Sequence, residues 1–126
     1  MKISNEISVI IPTRNEEKIV ENNLISINEY LSDIFEKYEI IVSDYSEDKT
    51  PEIVKELSKK YPIYYVSANE KGIGIGIRVG IDYARNDLIM VYPIDMSWDI
   101  SCILKSFQEI LSDNGDIILG SRGCKY

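Results

Sequence analysis

Two rhythms of apolar residues alternate along this chain. Ile7 to Pro12 (ISVIIP) is a short β-branched run stopped by Pro12, after which Val20, Leu24, Ile27, Leu31 and Ile34 recur at helical spacing. Thr13 and Glu16 have the spacing of a capping box ahead of that helix. Glu39 to Ser43 (EIIVS) repeats the strand signal. Thr50-Pro51 then reads as an N-cap with proline at N1, with Ile53, Val54 and Leu57 on one helical face. The pattern predicts a third strand at Ile63 to Val66 and a glycine-rich entry into a helix running through Ala84. A fourth strand is predicted over about Asp87 to Tyr92. Asp99 is placed to cap a helix with the apolar face Ile100, Ile103, Leu104, Phe107, Ile110 and Leu111. Asn114-Gly115 turns the chain into a fifth predicted strand, Asp116 to Leu119.

These strands are near-continuously apolar rather than alternating, which indicates a parallel sheet covered on both faces. The expected class is α/β: a doubly wound, mainly parallel five-stranded sheet with helices on both faces, in one domain spanning residues 1–126. Ligands of such sheets bind outside the carboxyl ends of the strands. The loops of interest are therefore Pro12 to Glu16, Ser43 to Thr50, Ala68 to Gly76, Tyr92 to Asp99 and Gly120 to Tyr126.

With 126 residues and 44% hydrophobic content, the chain can bury a core without disulfide or metal staples. Its apolar runs fall far short of the roughly 20 residues that span a bilayer, and the N-terminus lacks a signal peptide's apolar region, so a cytoplasmic location is expected. The chain has no histidine, and Cys102 and Cys124 lack CxxC spacing. A Cys/His zinc site and a histidine-based triad are excluded. The net charge of -7 opposes binding to nucleic acid or an anionic membrane, so any anionic ligand must be held locally. Arg14, Lys71 and Arg122 are the candidate cations near loop ends, with Arg78 read as a solvated surface charge.

Lys71-Gly72-Ile73-Gly74-Ile75-Gly76 has GxGxG spacing, not GxGxxG, and follows the third strand rather than the first, which argues against a dinucleotide fingerprint. No GxxxxGK[ST] is present. Glycines here let the backbone pass close to a ligand and offer N–H groups to an anion, or serve a tight turn and close helix packing.

Taken together, SVIIPTRNEE (Ser8 to Glu17), EIIVSDYSEDKT (Glu39 to Thr50), KGIGIGIRVGIDYARNDLIMVYPID (Lys71 to Asp95) and DIILGSR (Asp116 to Arg122) resemble, in order, the blocks of family 2 glycosyltransferases with the Rossmann-like GT-A fold. The resemblance points most closely to dolichyl-phosphate mannose synthases and related polyprenyl-phosphate sugar transferases. It implies a donor site for a UDP- or GDP-hexose, built from Pro12, Arg14, Glu16, Val42, Asp44, Lys71, Asp95 and Arg122. It also implies a Mg²⁺ or Mn²⁺ ion at Asp95 with help from Ser97, and Asp99 as an auxiliary ligand or a helix cap. The acceptor implied is a polyprenyl phosphate or another acceptor; a phosphate is already anionic and needs no catalytic base.

The chain departs from the family pattern at several points. Pro93 replaces the first aspartate of D-x-D, Ser43 the first of two paired aspartates, Tyr45 the glycine after them, and Arg14 the tyrosine of the first block. The family also continues past the GSR block with an antiparallel strand and acceptor-binding elements. Two functions stay open on these residues: a hexosyltransferase, or a truncated glycosyltransferase-like binding module without turnover of its own. A third, an unrelated α/β domain, is disfavoured by the ordered blocks. The strand Asp116 to Leu119 would leave an unpaired edge, for which a second copy or a partner chain is the expected cover.

Overall fold

In the computed structural model, which describes residues 2–121, each predicted apolar run of the first two-thirds becomes a strand or a helix. The order is β1 (Ile7–Thr13), α1 (Val20–Ile34), β2 (Tyr38–Asp44), α2 (Thr50–Leu57), β3 (Ile63–Ser67), α3 (Ile73–Tyr83), β4 (Leu88–Val91) and α4 (Cys102–Leu111). The strands form one sheet in the order β3-β2-β1-β4, with every pairing parallel. Because β1 is central and the chain winds outward from it in both directions, the loops leaving β1 and β4 diverge and open a crevice at their carboxyl ends.

Alternation along the strands divides the core. Val9 and Ile11 of β1 and Ile40 and Val42 of β2 face a large cluster closed by Leu24, Ile27 and Leu31 of α1, Val54 and Leu57 of α2, and Ile103 and Phe107 of α4. Phe35 and Phe107 meet edge to face there, with ring centroids 5.1 Å apart at 87°. The intervening residues Ile10 and Ile41, with Val66, face a smaller cluster covered by Val79 of α3. Helix α3 rests closely on this second face. A Cβ added at Gly80 would lie 2.3 Å from Cγ2 of Ile10, and one at Gly76 would lie 3.3 Å from Cβ of Pro12. At the opposite end of the sheet, buried Glu39 accepts hydrogen bonds from Ser8 Oγ and from the Arg85 backbone N–H, both at 2.7 Å, which pins the turn between α3 and β4.

The expectation of five strands is corrected to four among the described residues, because residues 116–121 join no ladder. Gly120 is packed against the Trp98 ring, where an added Cβ would come within 2.8 Å of Cζ3. Between this segment and β4 runs an apolar groove of about 590 Å³. On the far side of that groove, Ile117 and Leu119 are 78% and 84% exposed and pair with no strand. Among the described residues the edges of the sheet are therefore β3 and β4.

Three expected caps also differ. Thr13 ends β1 and bonds Asp44, and α1 starts at Val20 with no side-chain cap, so Thr13 and Glu16 form no capping box. Thr50 is the first residue of α2, and Asp48 accepts from its N–H at 2.9 Å. Asp99 accepts from the Ser101 N–H at 2.9 Å two residues early, and Ser101 holds the N-cap of α4.

The glycine contacts generate a paired prediction. Gly80→Ala should cost about 1–3 kcal/mol through overpacking against Ile10, although alanine is the better helix former. Gly74→Ala, whose Cβ would meet nothing within 4 Å, should be neutral or stabilising by up to about 1 kcal/mol. Chemical denaturation of both variants checks the opposite signs.

Candidate functional site

The loops after β1 and β2 are zipped together by side chains. Asn15, at φ 53°, donates its N–H to Ser46 Oγ at 2.8 Å, and its own Oδ1 accepts from the Glu47 N–H at 2.9 Å. The Glu16 N–H donates to Thr50 Oγ1 at 2.9 Å, the Glu17 N–H to Asp48 at 3.2 Å, and the Lys49 N–H to Glu17 at 3.1 Å. A short polar loop held at this many points presents a defined surface rather than an ensemble.

Beneath the zipper lies Asp44, fully buried at the end of β2. Its Oδ1 accepts from Thr13 Oγ1 at 2.7 Å and Ser46 Oγ at 2.5 Å, and its Oδ2 from the Tyr65 hydroxyl at 3.0 Å. Burial, followed by the charge of Asp44 and the bond to it, pushes the Tyr65 phenol up to about 12.

An open pocket of about 340 Å³ lies at this end of the sheet, within the size range of small-ligand sites. Pro12, Thr13, Arg14 and Glu16 from the β1 end, Ser43 and Tyr45 from the β2 end, and Ala68, Lys71, Gly72, Ile73 and Gly76 around the start of α3 line it. The Arg14 guanidinium stands 5.8 Å from the centroid of the Tyr45 ring. Helix α3 opens without a side-chain cap after Gly72, which sits at φ 139°, so its first-turn N–H groups lack intrahelical partners. Two cations and a helix N-terminus thus converge on one concavity in a chain of net charge -7.

Of the residues singled out from sequence, Pro12, Arg14, Glu16 and Lys71 come together around this pocket. Asp44 is not among the lining residues. Val42 has its side chain in the main core. Strand alternation explains both, since residues 42 and 44 share the face turned to α1 and α2, while Ser43 shares the α3 face with Ile41. Arg122 lies outside the described residues. Sequence reading did not assign Ser43 or Gly76 to the site, although it expected Tyr45 to shape the pocket; the alternation of β2 was the available signal for Ser43.

Asp95 and Ser97 sit on the loop after β4, where the Ser97 N–H donates to Asp95 Oδ1 at 3.0 Å. Two bonds fix that loop: Asn23 Nδ2 to the Ile94 carbonyl at 2.9 Å, and the Tyr92 hydroxyl to the Trp98 carbonyl at 2.5 Å. Burial, with smaller contributions from Asp95 and Asp48, holds the Glu16 carboxyl above the usual carboxylate range. Because β4 pairs in parallel with β1, the loop after β4 leaves the sheet at the same end as the loop after β1. Among the described residues no three Cys, Asp or Glu side chains group to hold a metal ion. The donor set present, one exposed carboxylate with Glu16 nearby, fits a hard divalent cation that draws its remaining ligands from water and a phosphorylated ligand.

Among the described residues no helix is long and apolar enough to cross a membrane. Residues 8–126 match the profile of Glycosyl transferase family 2. The chain is 35% identical over 122 residues to a dolichol-phosphate mannosyltransferase of Pyrococcus furiosus, covering 95% of this chain and 34% of that protein. It is 28% identical over 120 residues to the low-salt glycan biosynthesis hexosyltransferase Agl6 of Haloferax volcanii, covering 95% of this chain and 28% of the relative. The chain thus spans about a third of the length of these curated relatives. Its fold matches that of glucosyl-3-phosphoglycerate synthase from Mycobacterium tuberculosis, crystallised with Mn²⁺, UDP and phosphoglyceric acid, at a TM-score of 0.67 and 21% identity over 86% of this chain and 39% of that one. With a family profile covering nearly every residue, and with a parallel sheet whose loop ends form the pocket, the chain belongs to glycosyl transferase family 2.

Proposed function

We propose that this chain binds the nucleotide diphosphate sugar of a hexosyl transfer whose acceptor is a polyprenyl phosphate. The observation that carries the reading is the pocket at the strand ends, where Arg14, Lys71 and the uncapped start of α3 gather positive charge in a chain of net charge -7. The glycosyltransferases among its relatives support a transferase over a non-catalytic binding module.

In this reading the nucleoside occupies the pocket and the diphosphate its cationic rim. Transfer breaks the bond from the anomeric carbon to the diphosphate oxygen and forms one to an acceptor phosphate oxygen. Charge builds on the leaving diphosphate, where Arg14 can pair with two oxygens in its fork geometry and Lys71 adds a point charge. An anionic acceptor needs no proton removed. Arg122 is assigned to phosphate as well. A Mg²⁺ or Mn²⁺ ion held by Asp95 and Ser97 would supply further neutralisation of the diphosphate. Asp44 and Val42 act from behind the pocket wall, the first by holding Thr13, Ser46 and Tyr65 in register and the second by anchoring β2 in the core.

Thermal unfolding with UDP, GDP and their hexose conjugates, each with and without Mn²⁺, tests the donor site. At about 100 times its dissociation constant a true ligand should add roughly 2.7 kcal/mol, a shift of several degrees. Asp95→Ala should abolish the metal-dependent part of that shift, and Lys71→Ala should shrink the whole. Flat curves for every nucleotide would sink the assignment.

Asp44→Asn probes the positioning role. Removing the carboxylate's charge should weaken the bonds from Thr13 and Tyr65 and lower stability by about 1–3 kcal/mol. The Tyr65 phenol should then titrate below about 12, because two of the influences raising it are gone. Phenolate absorbance against pH, with Tyr65→Phe as the assignment control, reads this directly; an unchanged titration contradicts the coupling.

A further inference from the structure

The loop after β4 carries Asp95 and Ser97 with one carboxylate fewer than the family block, since Pro93 stands where the first aspartate would be. Exposure alternates along this loop. Ile94 is buried in the main core and Met96 and Trp98 pack against it, while Asp95, Ser97 and Asp99 are exposed. One side of the loop is thus anchored in apolar contacts, and the other presents three oxygen-bearing side chains to solvent.

Two polar side chains from outside the loop are committed to its backbone. Tyr92, fully buried, donates its hydroxyl to the Trp98 carbonyl at 2.5 Å and so closes the loop across its base. Asn23 reaches over from α1, 71 residues away along the chain, and its Nδ2 donates to the Ile94 carbonyl at 2.9 Å, next to Asp95. Within the loop the Met96 N–H donates to the Pro93 carbonyl at 3.1 Å, with Met96 at φ 54°, and Pro93 fixes its own φ. Packing alone would favour other residues at the two outside positions. Phenylalanine would fill the Tyr92 site without burying a hydroxyl, and asparagine is a poorer helix former than leucine or alanine.

We propose that Tyr92 is a positioning residue for a divalent cation: with Asn23 it clamps the β4 loop so that Asp95 and Ser97 are held ready for the ion, which offsets the carboxylate absent at Pro93. The inference rests on the reading of Asp95 as a metal ligand given above. Neither Tyr92 nor Asn23 touches the ion; each acts through a backbone carbonyl beside or beyond the ligands. A cation held by few protein oxygens gains little from their number, so its affinity depends on how little ordering the loop must undergo when the ion binds.

Mn²⁺ titrations followed by water-proton relaxation, in the presence of UDP or GDP, test the clamp on the wild-type chain, Tyr92→Phe, Asn23→Ala and Phe35→Leu. Tyr92→Phe should bind Mn²⁺ about three- to tenfold more weakly, the scale of one lost hydrogen bond, and Asn23→Ala should fall in the same direction. Phe35→Leu is the control: it loosens the Phe35–Phe107 contact at the far end of α1, so it should lower the melting temperature and leave Mn²⁺ affinity unchanged. An equal loss in Phe35→Leu would make the effect general destabilisation and overturn the proposal. Unchanged Mn²⁺ affinity in Tyr92→Phe would overturn it while leaving the metal site standing; should that variant fail to fold, unchanged affinity in Asn23→Ala does the same. Wild-type protein that binds no Mn²⁺ with either nucleotide would overturn the metal reading of Asp95, and this inference with it.

Discussion

The carboxylate of Asp44 receives Thr13 from the end of β1, Ser46 from the loop beyond β2 and Tyr65 from β3, so one buried anion ties three strand ends together. A charge removed from water is tolerable only when it is well hydrogen-bonded, and three donors meet that condition here without a cationic partner. Around it the loops lock in turn, Asn15 against Ser46 and Glu47, and Glu16 against Thr50. The pocket wall inherits its shape from this arrangement.

Packing on the two sides of the sheet differs in kind, and the site depends on the difference. On the α1, α2 and α4 side, long aliphatic and aromatic side chains fill the space between layers. On the α3 side the helix is drawn close by Gly76 and Gly80, which bring its axis near Pro12 and Ile10. Close approach lowers the start of α3 into the region of the strand ends, and so brings Lys71 and the uncapped N–H groups to the same concavity as Arg14. The glycines spaced along KGIGIGIRVG thus serve packing and pocket at once, the two readings that the sequence left side by side.

Electrostatics sharpens the same point. The chain carries 21 acidic and 14 basic residues, so its long-range field repels phosphate. Binding of an anion in such a molecule relies on short-range contacts that exceed this repulsion inside a pocket where solvent screening is reduced. Glu16, which also lines the pocket, marks the opposite local extreme, its carboxyl raised by burial and by the charges of Asp95 and Asp48.

The strands and helices up to β4 could be read from apolar periodicity, because a residue's preference for burial is set locally by its side chain and repeats with the geometry of its element. The parallel α/β class followed from near-continuous apolar strands, and the four ordered blocks were enough to mark the family. Other features depended on contacts distant in the chain. Residues 116–121 carry a strand-like composition, yet Trp98 holds Gly120 and keeps the segment across a groove from β4. Asp44 reads as a donor-site carboxylate at a strand end, and only the approach of Tyr65 and Thr13 makes it a saturated, buried hub. Ser43 is an ordinary serine until α3 closes over it. Sequence determined which residues must leave water and with what period; the tertiary structure decided which polar groups found partners, because hydrogen bonds between strand ends join residues far apart along the chain.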